Sequence, residues 1–266
     1  MRVAIVHNDR VTTRVAVRHL QVLLAEAGIL QDQDHPDLVI SVGGDGTLIS
    51  AFHKYQKQLD HVAFAGIHTG HLGFYTDWRN YDMEKLVEAL ASHPVKDHSV
   101  TYPLLAMKVT TSSGIKEFLA LNEASIKRVS KTMEAEVSIG GCRFENFRGD
   151  GLCVSTPTGS TAYSKSLGGA VIHPRLKALQ LTEIASINNL VFRTVGSPIV
   201  IAPDEWITIV PKNTDRAVVI VDGERVALTD VMQADYRIAQ EEISFYEYGH
   251  HHFWDRVNEA FIGDVK

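Results

Sequence analysis

Hydrophobic and polar positions along the first hundred residues switch between a strand period and a helix period. Residues 3–7 are a short apolar run. Over residues 12–27 the apolar positions Val15, Val17, Leu20, Val22, Leu23, Leu24 and Ala27 suit an amphipathic helix, with Gly28 as its C-cap. Residues 38–42 form a compact strand stopped by Gly43-Gly44, residues 48–58 are helical, and residues 62–67 are the next strand. A Gly-rich loop with Gly70 and Gly73 leads to a helix over 81–92 that carries Met83, Leu86, Val87 and Leu90. Strands alternating with helices predict a parallel sheet covered by helices.

The rhythm changes near Pro103, and from there to about residue 240 the chain is mostly short strand-like runs. Residues 105–110 and 117–121 bracket Ser112-Ser113-Gly114; residues 135–139 and 142–147 bracket Gly140-Gly141, a two-residue hairpin signal. Further strands are predicted over 206–210 and 217–221, the latter ending at the turn Asp222-Gly223. The expected fold is an α/β N-terminal domain with a parallel sheet, residues 1–100, followed by a β-rich, β-sandwich-like domain, residues 101–244. The last stretch, 245–266, holds Tyr246, Tyr248, Phe253, Trp254 and Phe261 and is expected to return to the first domain and complete it. There is no internal repeat and no low-complexity segment.

Length and composition agree with this division. At a soft prior of about 150 residues per domain, 266 residues make one large domain or two modest ones. Apolar residues are 45% and charged residues 22%, the mixture of a globular chain with a substantial core. No apolar run approaches the roughly 18 residues of a membrane span, and the N-terminus lacks a small-residue cleavage pattern. Cys142 and Cys153 cannot make a disulfide framework or a zinc site, so a reducing cytoplasm is expected. The net charge of −6 argues against a general nucleic-acid binder and leaves room for a local pocket for a small anion. Neither nucleic acid nor membrane is an expected partner.

The sharpest chemical feature is the strand–turn–helix Leu38-Val39-Ile40-Ser41-Val42-Gly43-Gly44-Asp45-Gly46-Thr47-Leu48. Three glycines in four residues let the backbone approach a ligand, and the N–H groups of a helix start favour phosphate. An Asp in such a loop is costly unless it has work to do: holding Mg²⁺, or taking a proton from an attacking hydroxyl. The plainer reading is a tight turn whose Asp caps the next helix. A dinucleotide fingerprint fails, because its third glycine would fall on Ile49; a P-loop starting at Gly159 fails, because Ser164 stands where its last glycine should be.

A second cluster runs through Arg148-Gly149-Asp150-Gly151, a strand over 152–155, then Thr156-Pro157-Thr158-Gly159-Ser160-Thr161-Ala162-Tyr163-Ser164-Lys165-Ser166. Hydroxyls, a Lys and an aromatic ring in one loop and helix start can bond sugar and amide groups while Tyr163 stacks on a planar ring. A Ser/Thr-capped helix after a turn is the bland alternative. Asn122-Glu123 follows a strand; an amide beside a carboxylate can read an adenine edge and a ribose diol, or be an exposed loop pair.

In that order, Gly43-Gly44-Asp45-Gly46-Thr47, Asn122-Glu123, Gly149-Asp150-Gly151 and Thr156 through Tyr163 resemble the NAD kinase family, whose fold is NAD kinase/diacylglycerol kinase-like. Residues 121–128, Ala185-Ser186-Ile187-Asn188-Asn189 and Ser197-Pro198 are also similar, and the likeness is nearest to enzymes of Gram-positive bacteria. The resemblance implies a kinase that phosphorylates the 2′-hydroxyl of the adenosine ribose of NAD to give NADP, using ATP or polyphosphate and a divalent metal, Mg²⁺. It implies Asp45 as general base, with Gly44, Gly46 and Thr47 along the phosphates. Asn122 would read the adenine and Glu123 the ribose hydroxyls. Thr161, Ala162, Tyr163 and Ser166 would line the dinucleotide site, with Ser164 and Lys165 in the same stretch. Asp150 and Ala185 would face the nicotinamide end, and Arg148 the new 2′-phosphate. No residue is implied as a metal ligand. The family's two domains enclose the site together and a neighbouring subunit completes it, which implies a homotetramer.

The resemblance departs at Gly223, where some members carry a bulkier polar residue, so Gly223 is left out of the site. The pair His68 and His71 and the run His250–His252 read as loop, capping or surface histidines, and Cys153 as a core residue. Two other functions stay open on the residues alone: a lipid or sugar kinase sharing the aspartate loop, and a non-catalytic dinucleotide sensor.

Overall fold

The structure is a computed structural model that describes residues 1–70, 73–212, 217–247 and 252–263. His71, Tyr248, His250 and His251 lie outside the described residues. The chain divides into two compact units, Met1–Tyr102 with Glu242–Lys266, and Pro103–Glu241.

The first unit begins with β1 (Arg2–His7), α1 (Val11–Glu26), β2 (Leu30–Gln31), β3 (Leu38–Gly43), α2 (Asp45–Tyr55), β4 (Ala63–His68), β5 (Trp78–Arg79) and α3 (Met83–Ser92). Strands β2, β1, β3 and β4 pair side by side in parallel, with Gly43 opposite His68 at the end of β3. Helix α1 buries Thr13, Val17, Leu20 and Leu24, a stripe at helical period, whereas Val15 and Val22 of the expected apolar set lie exposed on its outer side. Val17, Leu20 and Leu24 join Ile40, Val42, Ile67 and Leu86 in one core, where each fully buried Leu or Ile stabilises by about 1.5–3 kcal/mol. Helix α2 starts at Asp45, three residues before its apolar period becomes visible, because its first turn is polar and glycine-rich.

The second unit carries β6 (Ser99–Thr111), whose first residues belong to the first unit, then β7 (Gly114–Ala120), β8 (Glu123–Arg128), β9 (Met133–Ile139), β10 (Cys142–Gly149), β11 (Gly151–Ser155), the one-turn helix α4 (Tyr163–Ser166), β12 (Leu179–Ile184), β13 (Ile199–Ile201), β14 (Ile207–Pro211), β15 (Ala217–Val221) and β16 (Glu224–Val226). One antiparallel sheet runs β13-β12-β11-β8-β15-β16; β10, β9 and β14 pair in the other, and β6 pairs with β7. Phe147, Val137 and Ile209 from one side and Val154, Leu181 and Val219 from the other share a single core, the packing of a sandwich.

A strand absent from the sequence reading, β17 (Val231–Tyr246), is the longest of the chain. Its buried residues Val231, Ala234, Tyr236, Ala239, Ile243, Phe245 and Tyr246 follow neither period cleanly, which hides it from pattern reading. Its early residues pair with β14, and its last, Ser244 and Phe245, pair with Ala63 and Phe64 of β4 in the first unit. Helix α5 (Phe253–Phe261) follows, also in the first unit.

Candidate functional site

In the first unit the site is built at the end of β3, a strand buried along its whole length. The chain leaves it through Gly43 and the extended Gly44 and enters α2 at Asp45; the Thr47 N–H donates to the Gly44 carbonyl at 2.9 Å, so the N–H groups of Asp45 and Gly46 precede the first intrahelical bond. A cavity of about 390 Å³ opens there, lined by Asn8, Arg10, Gly44, Gly46, Thr47 and Ser50 among others. A Cβ placed on Gly44 or Gly46 would meet no protein atom within 4 Å, so packing does not require glycine at either position. Asn8 Nδ2 donates to Thr47 Oγ1 over 3.4 Å and ties β1's exit to the turn.

Asp45 does not cap its helix. Gly44 is the N-cap, and the Asp45 carboxylate turns to the following loop, where Oδ2 accepts the Phe74 N–H at 2.8 Å and Oδ1 the Tyr75 N–H at 3.0 Å. Gly73 lies so close that a Cβ there would overlap the Asp45 carboxylate, which makes glycine a steric requirement at that position. His68, beside Gly43 in the sheet, is buried and bonds the Gly70 carbonyl through Nδ1 at 2.9 Å; burial lowers its pKa and favours the neutral ring.

In the second unit Asn122 and Glu123 are buried, not an exposed loop pair, and Glu123 opens β8. The reason is Asp222, in the turn between β15 and β16. Its carboxylate accepts the N–H groups of Leu121 at 2.8 Å, Asn122 at 2.7 Å and Glu123 at 3.2 Å. On the other side Thr156 Oγ1 donates to the Leu121 carbonyl at 2.6 Å, and Gly159 sits so close that a Cβ would overlap the Asn122 backbone. Two sequence signals read separately, Asn122-Glu123 and the stretch from Thr156, are thus one packed assembly.

Burial pushes the Glu123 carboxyl up to about 7, and the Asp222 charge adds to this; the Tyr163 N–H and Lys127 act the other way. Glu123 Oε2 is buried without a hydrogen-bond partner among the described residues. Lys127 Nζ donates to the Tyr163 hydroxyl at 2.9 Å and lies 4.2 Å from the ring centre, so one face of Tyr163 carries a cation. Thr161 and Ala162 are half-buried, Lys165 is half-buried and Ser166 exposed. Ser164 is fully buried, and its hydroxyl accepts from Gln180 at 2.9 Å and lies 3.3 Å from that of Thr182, so it braces the turn from inside.

Arg148, Asp150 and Ala185 gather at the far end of β11. The Asp150 N–H donates to the Ile184 carbonyl, Arg148 lies over the Phe192 ring at 4.9 Å and donates to Thr132 Oγ1, and Ala185 adopts a left-handed φ of 47°. Along β8 this end lies opposite Lys127, four residues and about 13 Å from Glu123. Cys153, in the middle of β11, is fully buried and its thiol pKa is pushed up, as for a core residue. Asn8, Arg10, Ser50, Phe74, Tyr75, Lys127 and Asp222 were not singled out from the sequence. Of these Asp222 had a signal as a turn residue, and Lys127 lies within the stretch 121–128 already noted in the sequence.

Residues 6–95 match the ATP-NAD kinase N-terminal domain and residues 121–243 the ATP-NAD kinase C-terminal domain. The chain is 86% identical over 264 residues to the NAD kinase of Lactobacillus delbrueckii subsp. bulgaricus, covering 99% of this chain and 100% of the relative. It is 53% identical over 266 residues to that of Enterococcus faecalis, covering 99% and 100%. The fold is similar to yeast NADH kinase complexed with NADH, with TM-score 0.85 and 20% identity over 100% of this chain and 89% of that one. It is also similar to an NAD kinase from Archaeoglobus fulgidus in complex with ATP, with TM-score 0.78 and 24% identity over 99% and 100%.

Proposed function

The chain belongs to the NAD kinase family and is a phosphotransferase that converts NAD to NADP with ATP, and from that premise we propose that Asp45 is its general base. The observation that carries this reading is the Asp45 carboxylate itself, held by two loop N–H groups at the open end of α2 where it caps nothing. A ribose hydroxyl is too weakly acidic to attack unaided near neutrality. As its oxygen bonds to the terminal phosphorus, Asp45 takes the hydroxyl proton and the phosphorus–oxygen bond to ADP breaks in line. The N–H groups of the first turn of α2, with Gly44, Gly46 and Thr47, hold the phosphates and stabilise charge developing on the transferred group. Asn8, Arg10 and Ser50 extend the same wall.

In the second unit Asn122 reads the adenine and Glu123 the ribose hydroxyls; a sugar hydroxyl would relieve the unpartnered Glu123 Oε2. Tyr163 stacks between the halves of the dinucleotide, flanked by Thr161, Ala162, Lys165 and Ser166, with the buried Ser164 in the same stretch. Asp150 and Ala185 serve the nicotinamide end, and Arg148 the product's 2′-phosphate.

Among the described residues no group of three or more His, Cys, Asp or Glu could hold a metal ion, and both Asp45 oxygens already accept N–H bonds. We take Mg²⁺ to be the partner of the nucleotide phosphates, whose charge it neutralises. We take the assembly to be a homotetramer, which light scattering on the purified protein tests. Incubation with ATP, Mg²⁺ and NAD, followed by an NADP-specific dehydrogenase, tests the activity. Polyphosphate in place of ATP sets the donor range. A sugar or diacylglycerol phosphorylated in preference to NAD would overturn the acceptor, and binding without turnover would leave only a sensor.

A further inference from the structure

The loop that holds Asp45 is itself held from behind by α5. Arg256 is buried to 4% exposure. Its Nη1 donates to the Phe74 carbonyl and its Nη2 pairs with the Asp77 carboxylate, whose side chain is 7% exposed. The rings of Phe253 and Phe261, from the same helix, lie 6.4 and 5.7 Å from that of Phe74. His252 caps the helix by accepting the Trp254 N–H.

Two of these bonds meet in one peptide unit. The Phe74 carbonyl that accepts from Arg256 and the Tyr75 N–H that donates to Asp45 Oδ1 belong to the same rigid plane. A cation bonded to that carbonyl polarises the amide and strengthens its N–H as a donor, and it fixes the plane's direction. Burying a guanidinium is otherwise a poor way to seat a helix, because an apolar residue of similar volume is often at least as stabilising. Burial pulls Arg256 down to about 10, and the opposing influence is the charge of Asp45.

We propose that Arg256 is a positioning residue for phosphoryl transfer: through the Phe74–Tyr75 peptide it fixes the carboxylate of Asp45, so the C-terminal helix sets the catalytic geometry. This rests on the reading of Asp45 as the base. The test is a double-mutant cycle of Arg256→Met with Asp45→Asn, measuring kcat, the KM of NAD and ATP, and Tm. Arg256→Met is expected to lower kcat about ten- to a hundredfold with both KM values within about threefold, since a displacement of the base costs turnover and not binding. Arg256→Lys, which can still donate to Phe74, recovers part of the loss. In the Asp45→Asn background Arg256→Met lowers the residual rate no further.

Full kcat in Arg256→Met, or a loss that multiplies that of Asp45→Asn, overturns the proposal. Near-normal turnover in Asp45→Asn alone instead sinks the reading of the base. If Arg256→Met does not fold, Arg256→Lys is compared with Asp77→Asn. Both weaken the buried pair, but only the first replaces the planar guanidinium on the Phe74 carbonyl with a single ammonium that fixes the peptide plane less well, so equal kcat in the two also overturns it.

Discussion

The carboxylate of Asp222 accepts the backbone N–H of Asn122 at 2.7 Å, and with it the N–H groups of Leu121 and Glu123. A turn about one hundred residues downstream thereby fixes the direction of the two side chains assigned to the adenosine. Replacing Asp222 with Ala leaves three buried donors without that acceptor, each costing about 1–3 kcal/mol before relaxation. The expected outcome is a lower Tm and a KM for NAD raised about tenfold, with the KM for ATP little changed, measured by steady-state kinetics against each substrate.

Asp45→Asn keeps the size of the side chain and an acceptor for one loop N–H, so the protein should fold and bind NAD as the parent does. Without a base, kcat should fall by about 10²–10⁴. Calorimetric titration with NAD and the coupled NADP assay, run on the same preparation, check both halves.

Glycines 44 and 73 should respond in opposite ways to Ala. At Gly44 the new methyl meets no protein atom, so Tm holds while the KM for ATP rises, because the methyl intrudes where phosphate is assigned. At Gly73 it collides with the Asp45 carboxylate, so kcat and Tm fall together. Melting curves and ATP titrations of the two variants side by side decide this. A Gly44→Ala protein with unchanged KM for ATP would remove the phosphates from this turn.

Glu145 gives a pH signature. Burial, and after it the charge of Glu183, pushes its carboxyl up from 4.5 to about 7. Between those values the folded state binds more protons than the unfolded chain, so stability falls as pH rises through that window. Glu145→Gln retains an oxygen for the Val195 N–H and abolishes this contribution. Its Tm should exceed the parent's at pH 8 and approach it at pH 5, at about 2–4 °C per kcal/mol for a chain of this size. A parallel shift at both pH values would refute the assignment. Glu123, also raised to about 7, contributes a slope of the same sign that the variant keeps.

Much of the fold was legible from local pattern. The βαβ alternation, the hairpin at Gly140-Gly141 and the turn at Asp222-Gly223 are short-range features, encoded by the residues that form them. Strand β17 was not, because its buried positions change spacing along the strand.

The order of glycine turn, amide–carboxylate pair and hydroxyl-rich loop sufficed to identify the family, since that order is carried by the sequence itself. Tertiary structure decided what each residue faces. Asp45 could equally have capped α2; only the approach of the Phe74–Tyr75 loop turns its carboxylate aside. Ser164 stands among candidate ligand contacts in sequence, yet Gln180 and Thr182 draw its hydroxyl inward. Arg256 lies in an aromatic tail, and its burial against Phe74 and Asp77 depends on a contact 182 residues apart. Hydrogen-bond direction and burial are set by partners distant in the chain, and such partners leave no periodic trace in the sequence around the residue they control.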